Sequence, residues 1–349
     1  MRYAITTILT NLLLSEALSS PVHSSPKARE IVEIPGVWIE NTAIRSNGNL
    51  LLNTVGDGKL YSLNVSQSPP KPQVIAHFKN VNGLFGIAEV GKDIFAIAGG
   101  DYGAKFQNNT MSLSLVRFVG NETSIRSVFE NSKYGPVNGI TALPKHKHII
   151  LGADSVRGEI LRIDTTTGHI NVAIKHEQLG PIQNGPFGLG VNGIKVLGDY
   201  LYFTNSARQS FGRVKIDKLG NPIGNIQVIS QEQSRKGPAY APDDFVLDRY
   251  GNAYVAFWDG SLVKITSSGE RTVLVDDGLL AGATSATLSK DQKSLYVSTA
   301  GQGIDKVSGG QVFEVKFLKL HFYKIFSHKK TQSVLANRPK THDAPLAQS

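Results

Sequence analysis

Four polar residues open repeated apolar segments of the chain, and their side-chain oxygens could do chemistry. They are Glu40 in WIEN, Asn138 and Asn192 in two copies of VNGI, and Asp243 in APDD. Carboxylate and amide oxygens can hydrogen-bond a ligand or bind a hard cation such as Ca²⁺. Asn and Asp beside Gly are also common turn residues, so one of them alone would mean little. Four such residues at the starts of repeated units predict that their side chains cluster in the folded protein.

The elements that would position these residues follow from the repeat itself. Units that begin at residues 40, 86, 138, 192, 243 and 283 each contain apolar strands separated by turn dipeptides such as Asn47-Gly48 and Asp259-Gly260. A period of about 40 to 55 residues is that of a four-stranded propeller blade. The sequence therefore predicts an all-β, six-bladed β-propeller. Because the strand starts of a propeller point towards one axis, residues distant in sequence become neighbours there.

The ends of the chain define the predicted domain organisation. We expect the ring to close by an early strand, residues 30–34, pairing into the last blade beside residues 311–315. The propeller is predicted to span residues 21–315. Residues 1–20 combine Arg2, an apolar run and small residues, a pattern typical of a cleaved signal peptide. Residues 316–349 are predicted to be a basic tail, and of three interpretations we favour a disordered extension over a basic amphipathic membrane-surface segment or sequence foreign to the domain.

A secretory-pathway destination is the expectation from these features. Asn64, Asn108 and Asn121 each begin an N-x-Ser/Thr triplet, which is the acceptor for N-glycosylation. The chain has no cysteine, so its stability must come from buried area and sheet closure rather than from disulfides. The apolar run near the N-terminus is shorter than the roughly 20 residues that a bilayer requires, so no transmembrane segment is predicted.

The net charge of +9 does not indicate a nucleic-acid partner. From Lys316 onward the chain has seven Lys or Arg residues and one acid, so six of the nine charges belong to the tail. The predicted propeller is close to neutral and has no basic stripe interleaved with aromatic residues.

Other catalytic signals are absent or fail their structural test. Residues 188–193 fit the G-x-G-x-x-G pattern, but a strand follows them where a dinucleotide-binding motif requires a helix. The sequence contains no H-E-x-x-H, no G-x-S-x-G and no P-loop, and the lack of cysteine excludes thiol chemistry.

The segments WIEN, VNGI and APDD resemble the calcium-dependent six-bladed propellers of the gluconolactonase, senescence-marker-protein and strictosidine-synthase-like superfamily. The resemblance covers residues 31–315. It implies a divalent ion in the channel with Glu40, Asn192 and Asp243 as ligands and Asn138 as an additional pocket amide. Two departures are that Asp244 stands where the superfamily has Gly, and that WIEN replaces the usual E-x-P-x-W.

A more specific resemblance lies within that superfamily. WIENTAIRSNGNLLLNT, GDYLYFTNSARQSFGRV, APDDFVLDRYGNAYVA and SLYVSTAG with GGQVFEV resemble a fungal secreted branch. That branch includes hetero-Diels-Alderases, which join a tropolonic o-quinone methide to a humulene-type alkene. The resemblance implies a (4+2) cycloaddition in meroterpenoid biosynthesis, with small hydrophobic substrates and no cofactor.

A cycloaddition of this kind needs an apolar channel with a few polar donors. Asn138 and Asn192 are candidate donors to the developing oxyanion, and Glu40 and Asp243 complete the catalytic candidates. Aromatic residues near blade starts or inner-strand ends could form the apolar wall of the channel, and the candidates are Trp38, Phe85, Phe187, Tyr240 and Trp258. The alternative is that these residues pack between blades.

Three functions follow from the sequence, and we rank them in this order. The first is a cofactor-independent hetero-Diels-Alderase, and the second is a calcium-dependent lactonase. The third is a non-catalytic propeller that binds a ligand.

Overall fold

The computed structural model describes residues 26–103, 106–120, 122–183, 188–232, 238–276, 278–303 and 306–317. Within these residues two 3-10 helices occur, Glu177–Leu179 and Pro238–Tyr240. No helix in this part of the chain has the length and hydropathy needed to cross a membrane.

Strands dominate the described residues, and most are four to nine residues long. In chain order they are β1 (Ala28–Pro35), β2 (Trp38–Ile44), β3 (Leu50–Val55), β4 (Lys59–Leu63), β5 (Pro72–His77), β6 (Gly83–Gly91), β7 (Ile94–Gly100), β8 (Met111–Val119), β9 (Glu122–Ser132), β10 (Ile140–Leu143), β11 (His146–Asp154), β12 (Glu159–Asp164), β13 (Ile170–Lys175), β14 (Val191–Leu197), β15 (Tyr200–Asn205), β16 (Ser210–Lys215), β17 (Gln227–Gln231), β18 (Pro242–Leu247), β19 (Ala253–Phe257), β20 (Leu262–Ile265), β21 (Arg271–Val275), β22 (Ala283–Leu288), β23 (Ser294–Thr299), β24 (Gln302–Gly303), β25 (Lys306–Val307) and β26 (Gly309–Lys316).

Twenty-four of these strands form six antiparallel four-stranded blades, as the repeat predicted, and β24 and β25 pair with each other. Five blades follow chain order: β2–β5, β6–β9, β10–β13, β14–β17 and β18–β21. The sixth has the order β22-β23-β26-β1. The innermost strands contact one another in sequence around the molecule, β2 with β6, β6 with β10, β10 with β14, β14 with β18, β18 with β22, and β22 with β2. The chain is therefore a closed six-bladed propeller.

Closure depends on the N-terminal strand, which confirms the sequence expectation. Strand β1 pairs antiparallel with β26, from Ala28 opposite Val315 to Pro35 opposite Gly309. On the inner side, Thr284 Oγ1 donates to the carbonyl of Ile39 at 2.7 Å and so connects β22 to β2. The first and last blades are thus joined by the chain that runs from β1 to β2 and by a hydrogen bond between their inner strands.

The hydrophobic core lies between the blades. Both faces of a blade pack against a neighbouring blade, so second strands such as β3 (LLLNTV) and β23 (SLYVST) are buried along their whole length. One cluster joins Leu151 and Ile160 of the third blade to Phe203 and Val214 of the fourth. Burial on both faces explains the apolar runs, in contrast to the alternating pattern of a sheet with one wet face.

The last strand reaches Lys316, and the next residue still packs on the propeller. The backbone N–H of Phe317 donates to the carbonyl of Lys293 at 2.9 Å, and its ring lies 5.3 Å from that of Tyr254, centroid to centroid. A chain ending after Phe317 should therefore keep the thermal stability of the full chain. A chain ending after Lys316 should fold but melt roughly 2–4 °C lower. Differential scanning fluorimetry of the two truncations tests the domain boundary, and equal melting temperatures would argue against a role for Phe317.

Candidate active site

The inner ends of the blades surround one cavity at the centre of the ring. The space between its lining atoms measures about 630 Å³ with the open mouth included. Its lining residues come from five blades and the loops between them: Trp38, Glu40, Phe85, Tyr102, Phe106, Asn138, Leu189, Asn192, Ser206, Ala241, Pro242, Asp243 and Trp258. The four polar residues selected from the sequence all belong to this set.

The polar part of the cavity is buried and contains oxygen atoms that have no hydrogen-bond partner. Glu40, Asn138, Asn192 and Asp243 are each less than 9% exposed. The side-chain Oδ1 atoms of Asn138, Asn192 and Asp243 have no hydrogen-bond partner. Buried polar atoms normally find partners, and exceptions are a common feature of functional sites. These three oxygens are therefore available to a ligand.

The VNGI motif places its Asn in the cavity because its Gly permits the next blade to approach. A Cβ atom on Gly139 would lie only 2.6 Å from the carbonyl oxygen of Asn192. A Cβ atom on Gly193 would collide with the carboxylate of Asp244 in the blade that follows. Glycine is thus required for close contact between inner strands, and the residue before it is left to face the axis.

Asn192 is held by hydrogen bonds on its nitrogen side. Its Nδ2 donates to Ser206 Oγ at 3.0 Å, and the Ser206 hydroxyl in turn donates to the carbonyl of Pro242 at 2.8 Å. The Asn192 side chain also lowers the pKa of the Asp243 carboxyl, against the larger effects of burial and charge. The Oδ1 atom of Asn192 remains available to a ligand.

The two carboxyl groups of the cavity favour the protonated state. Burial, together with the charge of Asp244, raises the pKa of Glu40 from 4.5 to about 7. Burial and then the charges of Glu40 and Asp244 raise the pKa of Asp243 well above its usual value. Two buried carboxyls beside a third charge cannot all ionise without cost. Near neutral pH this pair therefore holds a proton, and Glu40 can serve as a hydrogen-bond donor.

Asp244, which stands where the superfamily has Gly, forms an ion pair with a lysine side chain. Lys195 Nζ lies 2.6 Å from both carboxylate oxygens of Asp244, which is almost fully buried. Asp244 also accepts from the backbone N–H of Phe245 at 2.7 Å. The carboxylate of Asp244 thus has its hydrogen-bond partners within the protein. It affects the cavity through its charge, which raises the pKa of Glu40 and Asp243.

The apolar part of the cavity is a continuous aromatic cluster. The rings of Trp38 and Trp258 meet edge to face with centroids 5.7 Å apart, and Tyr102 lies 5.1 Å from Trp38. Phe106 joins Tyr102 at 5.2 Å to Phe85 at 4.9 Å. Such a wall offers flat apolar surfaces to a conjugated ligand.

The aromatic predictions from the sequence had mixed outcomes. Trp38, Phe85 and Trp258 line the cavity, but Tyr240 does not, because the 3-10 helix that it ends places Ala241 and Pro242 at the wall instead. Phe187 lies outside the described residues. Tyr102 and Phe106 were missed, since they belong to the β7–β8 connection and occupy no repeat position.

Tyr102 connects the aromatic and polar parts of the cavity. Burial, followed by the charges of Glu40 and Asp243, raises the pKa of its hydroxyl. This group therefore stays protonated at neutral pH and faces the carboxyl pair.

The donor set fits a hard divalent cation. The unpartnered oxygens of Asn138, Asn192 and Asp243, together with the Glu40 carboxyl, are the oxygen ligands that Ca²⁺ prefers. Within the described residues, no cluster of three or more His, Cys, Asp or Glu residues suitable for a metal occurs. Any ion in this cavity would therefore depend on the two amide oxygens as well as on the two acids.

Comparisons with known proteins confirm both the fold and the resemblance. The family described as SMP-30/Gluconolactonase/LRE-like region matches residues 189–301. A Sarocladium schorii protein is 25% identical over 78% of this chain and 70% of its own length, and a Phoma protein is 28% identical over 75% and 83%. Both are assigned provisionally as hetero-Diels-Alderases. The crystal structure of a calcium-binding protein, regucalcin from Agrobacterium tumefaciens, superposes with a TM-score of 0.61 at 17% identity, covering 83% of this chain and 93% of that one.

Proposed function

We propose that this chain, which resembles the two hetero-Diels-Alderases over about three quarters of its length, is an enzyme that catalyses a (4+2) cycloaddition. The substrates would be a reactive quinone-methide-type polyketide and a terpene alkene, joined in fungal meroterpenoid biosynthesis. The observation that carries the proposal is the composition of the cavity, in which a wall of five aromatic rings faces buried groups able to donate a hydrogen bond.

The reaction places modest chemical demands on the protein. One C–C and one C–O bond form as the π electrons of heterodiene and alkene reorganise, and no proton or leaving group is transferred. Catalysis therefore requires a near-attack pose, polarisation of the heterodiene oxygen and exclusion of water. The aromatic wall serves the first and third of these requirements, because flat rings stack on a planar heterodiene and leave no room for solvent.

We assign polarisation of the heterodiene oxygen to Glu40 in its protonated form. Its raised pKa keeps a proton available near neutral pH, and a donor aimed at developing negative charge in a buried site lowers the barrier. Asn138 is a second candidate donor. Asn192 is held by its hydrogen bond to Ser206 Oγ, and its side chain lowers the pKa of the Asp243 carboxyl.

The second candidate function is a calcium-dependent lactonase, and the unpartnered oxygens favour it. Glu40, Asn138, Asn192 and Asp243 would hold the ion. When bound, a divalent cation would act as a Lewis acid that polarises a carbonyl oxygen. The aromatic wall argues for the first function, because a sugar lactone would leave most of these rings without an apolar partner.

Two parallel assays test the proposal. One supplies a quinone-methide precursor with a terpene alkene and measures the rate and stereochemistry of adduct formation over the uncatalysed background. The other supplies a panel of aldonolactones, each with and without chelator. Chelator-sensitive lactone hydrolysis, with no effect of the protein on the rate or stereochemistry of cycloaddition, would reverse the ranking. Inactivity in both assays would favour a propeller that binds a ligand without catalysis.

We also propose that the protein enters the secretory pathway. Asn64 and Asn108 are exposed, as glycan acceptors must be, while Asn121 lies outside the described residues. Protein purified from its native source should begin near Pro21 and carry N-glycans on at least one of these three residues. Mass spectrometry before and after enzymatic deglycosylation measures both properties. An N-terminus that still begins with Met1 would contradict the proposal.

A further inference from the structure

Asn82 lies between β5 and β6, outside the cavity, and its side chain hydrogen-bonds the backbone of Tyr102, a residue that lines the cavity. Asn82 Nδ2 donates to the carbonyl oxygen of Tyr102 at 2.8 Å, and the backbone N–H of Tyr102 donates to Asn82 Oδ1 at 2.7 Å. The backbone N–H and C=O groups of Tyr102 are thus both paired with the carboxamide of Asn82. This two-point contact determines the position and the orientation of Tyr102.

Asn82 is itself anchored to the first blade. Its backbone carbonyl accepts from the N–H groups of Gly56 at 2.8 Å and Gly58 at 3.1 Å, both in the hairpin between β3 and β4. Its own N–H donates to Asp101 Oδ1 at 3.2 Å. Asn82 therefore connects the β3–β4 hairpin of the first blade to the β7–β8 connection of the second.

The aromatic wall depends on where Tyr102 stands. Tyr102 is the ring that connects the two halves of the cluster, with Trp38 on one side and Phe106 on the other. Phe106 also forms an isolated backbone bridge with Tyr102. A displacement of Tyr102 would therefore disturb the packing of Trp38 and the contact of Phe106 with Phe85.

We propose that Asn82 is a positioning residue, which holds Tyr102 against Trp38 and thereby shapes the aromatic half of the cavity. It acts through Tyr102 and does not touch the ligand. Its hydrogen bonds to Tyr102 are solvent-accessible, so water can replace them when the carboxamide is removed. Asn82→Ala should therefore fold with little change in melting temperature, while the ring of Tyr102 loses its fixed position.

Tryptophan fluorescence reports on this cavity alone. The chain contains two tryptophans, Trp38 and Trp258, and both line the cavity. In a Trp258→Phe background the signal comes from Trp38, which packs on Tyr102. We expect Asn82→Ala to shift its emission to longer wavelength and to increase its quenching by acrylamide. The same comparison in the two-tryptophan chain serves if Trp258→Phe does not fold.

A matched control and a double-mutant cycle separate positioning from general destabilisation. Asn47 is also exposed and also accepts a backbone hydrogen bond, from Asn49 N–H at 3.0 Å, but lies away from the cavity lining. Asn47→Ala should leave the fluorescence unchanged. Tyr102→Ala should increase the quenching by itself, and adding Asn82→Ala should have no further effect. Unchanged fluorescence in Asn82→Ala, or an equal effect with and without Tyr102, would overturn the proposal.

A kinetic measurement extends the test and rests on the proposed function. Asn82→Ala should lower kcat/KM for cycloaddition about tenfold, because displacing a positioning group by a fraction of an ångström loses part of the near-attack geometry. An unchanged kcat/KM in an active enzyme would count against Asn82. If no cycloaddition occurs with the wild-type protein, the proposed function fails, and the fluorescence result still decides the role of Asn82.

Discussion

Replacing Glu40 with leucine should slow the cycloaddition by about 10²–10³, the usual loss when one donor to a developing oxyanion is removed. Replacing it with glutamine should retain most of the rate, because the amide nitrogen supplies a neutral donor from the same position. The pair of variants therefore separates hydrogen-bond donation from the mere presence of a side chain. Single-turnover rates with a saturating substrate pair provide the measurement.

The pH dependence of the same variants has a defined direction. Glu40 can donate only when protonated, so with a pKa of about 7 the wild-type rate should be highest below pH 7 and fall above it. The rate of Glu40→Gln should not change over this range. Glu130 is exposed on an outer strand, and Glu130→Gln should follow the wild-type profile.

Stability should change with pH for the same reason. The folded-state pKa of Glu40 lies above its unfolded value of 4.5, so the folded protein binds the extra proton. This contribution is fully present below pH 4.5 and is lost as the pH rises through about 7. Glu40→Gln should therefore melt at a higher temperature than wild type at pH 8, and near the wild-type temperature at pH 5.

Equal losses of rate in Glu40→Leu and Glu40→Gln, with a wild-type rate that does not change with pH, would contradict hydrogen-bond donation by Glu40.

Chelation gives the second large contrast, because the two candidate enzymes respond to it in opposite ways. A cycloaddition driven by packing and hydrogen bonding should proceed at an unchanged rate in excess chelator. A calcium-dependent lactonase should lose its activity, and Asp243→Ala should produce the same loss, since it removes one of the two acidic ligands. We expect the first pattern.

A thermal-shift titration tests ion binding without reference to activity. A cation that binds only the folded state raises the melting temperature as its concentration increases. If Ca²⁺ stabilises the wild type, Asp243→Ala should abolish the effect, and Asp291→Ala, on an exposed turn, should not. Cycloaddition that stops in chelator and resumes with Ca²⁺ would show that the ion takes part in the reaction, against our assignment to Glu40 alone.

The sequence by itself determined the six-bladed propeller and most of its polar centre. A blade cannot bury both of its faces without neighbours, so the apolar strands recur with a constant period, and the residues that open each unit must meet at the axis. Asn138 and Asn192 could be selected because each opens a VNGI segment in register with the repeat. Closure by residues 30–34 beside residues 311–315 was expected because a ring of blades leaves only short protected edges.

Tertiary structure alone decided how these groups behave. Tyr102 and Phe106 lie in a connection with no repeat signature, and their contacts with Trp38, Phe85 and Asn82 exist only in the folded chain. The hydrogen bond from Ser206 to the Pro242 carbonyl and the pairing of Lys195 with Asp244 join residues from neighbouring blades, and no local pattern encodes such contacts. The raised pKa of Glu40 has the same origin, because desolvation and charge depend on everything around a carboxyl group in three dimensions, while its sequence neighbours contribute little.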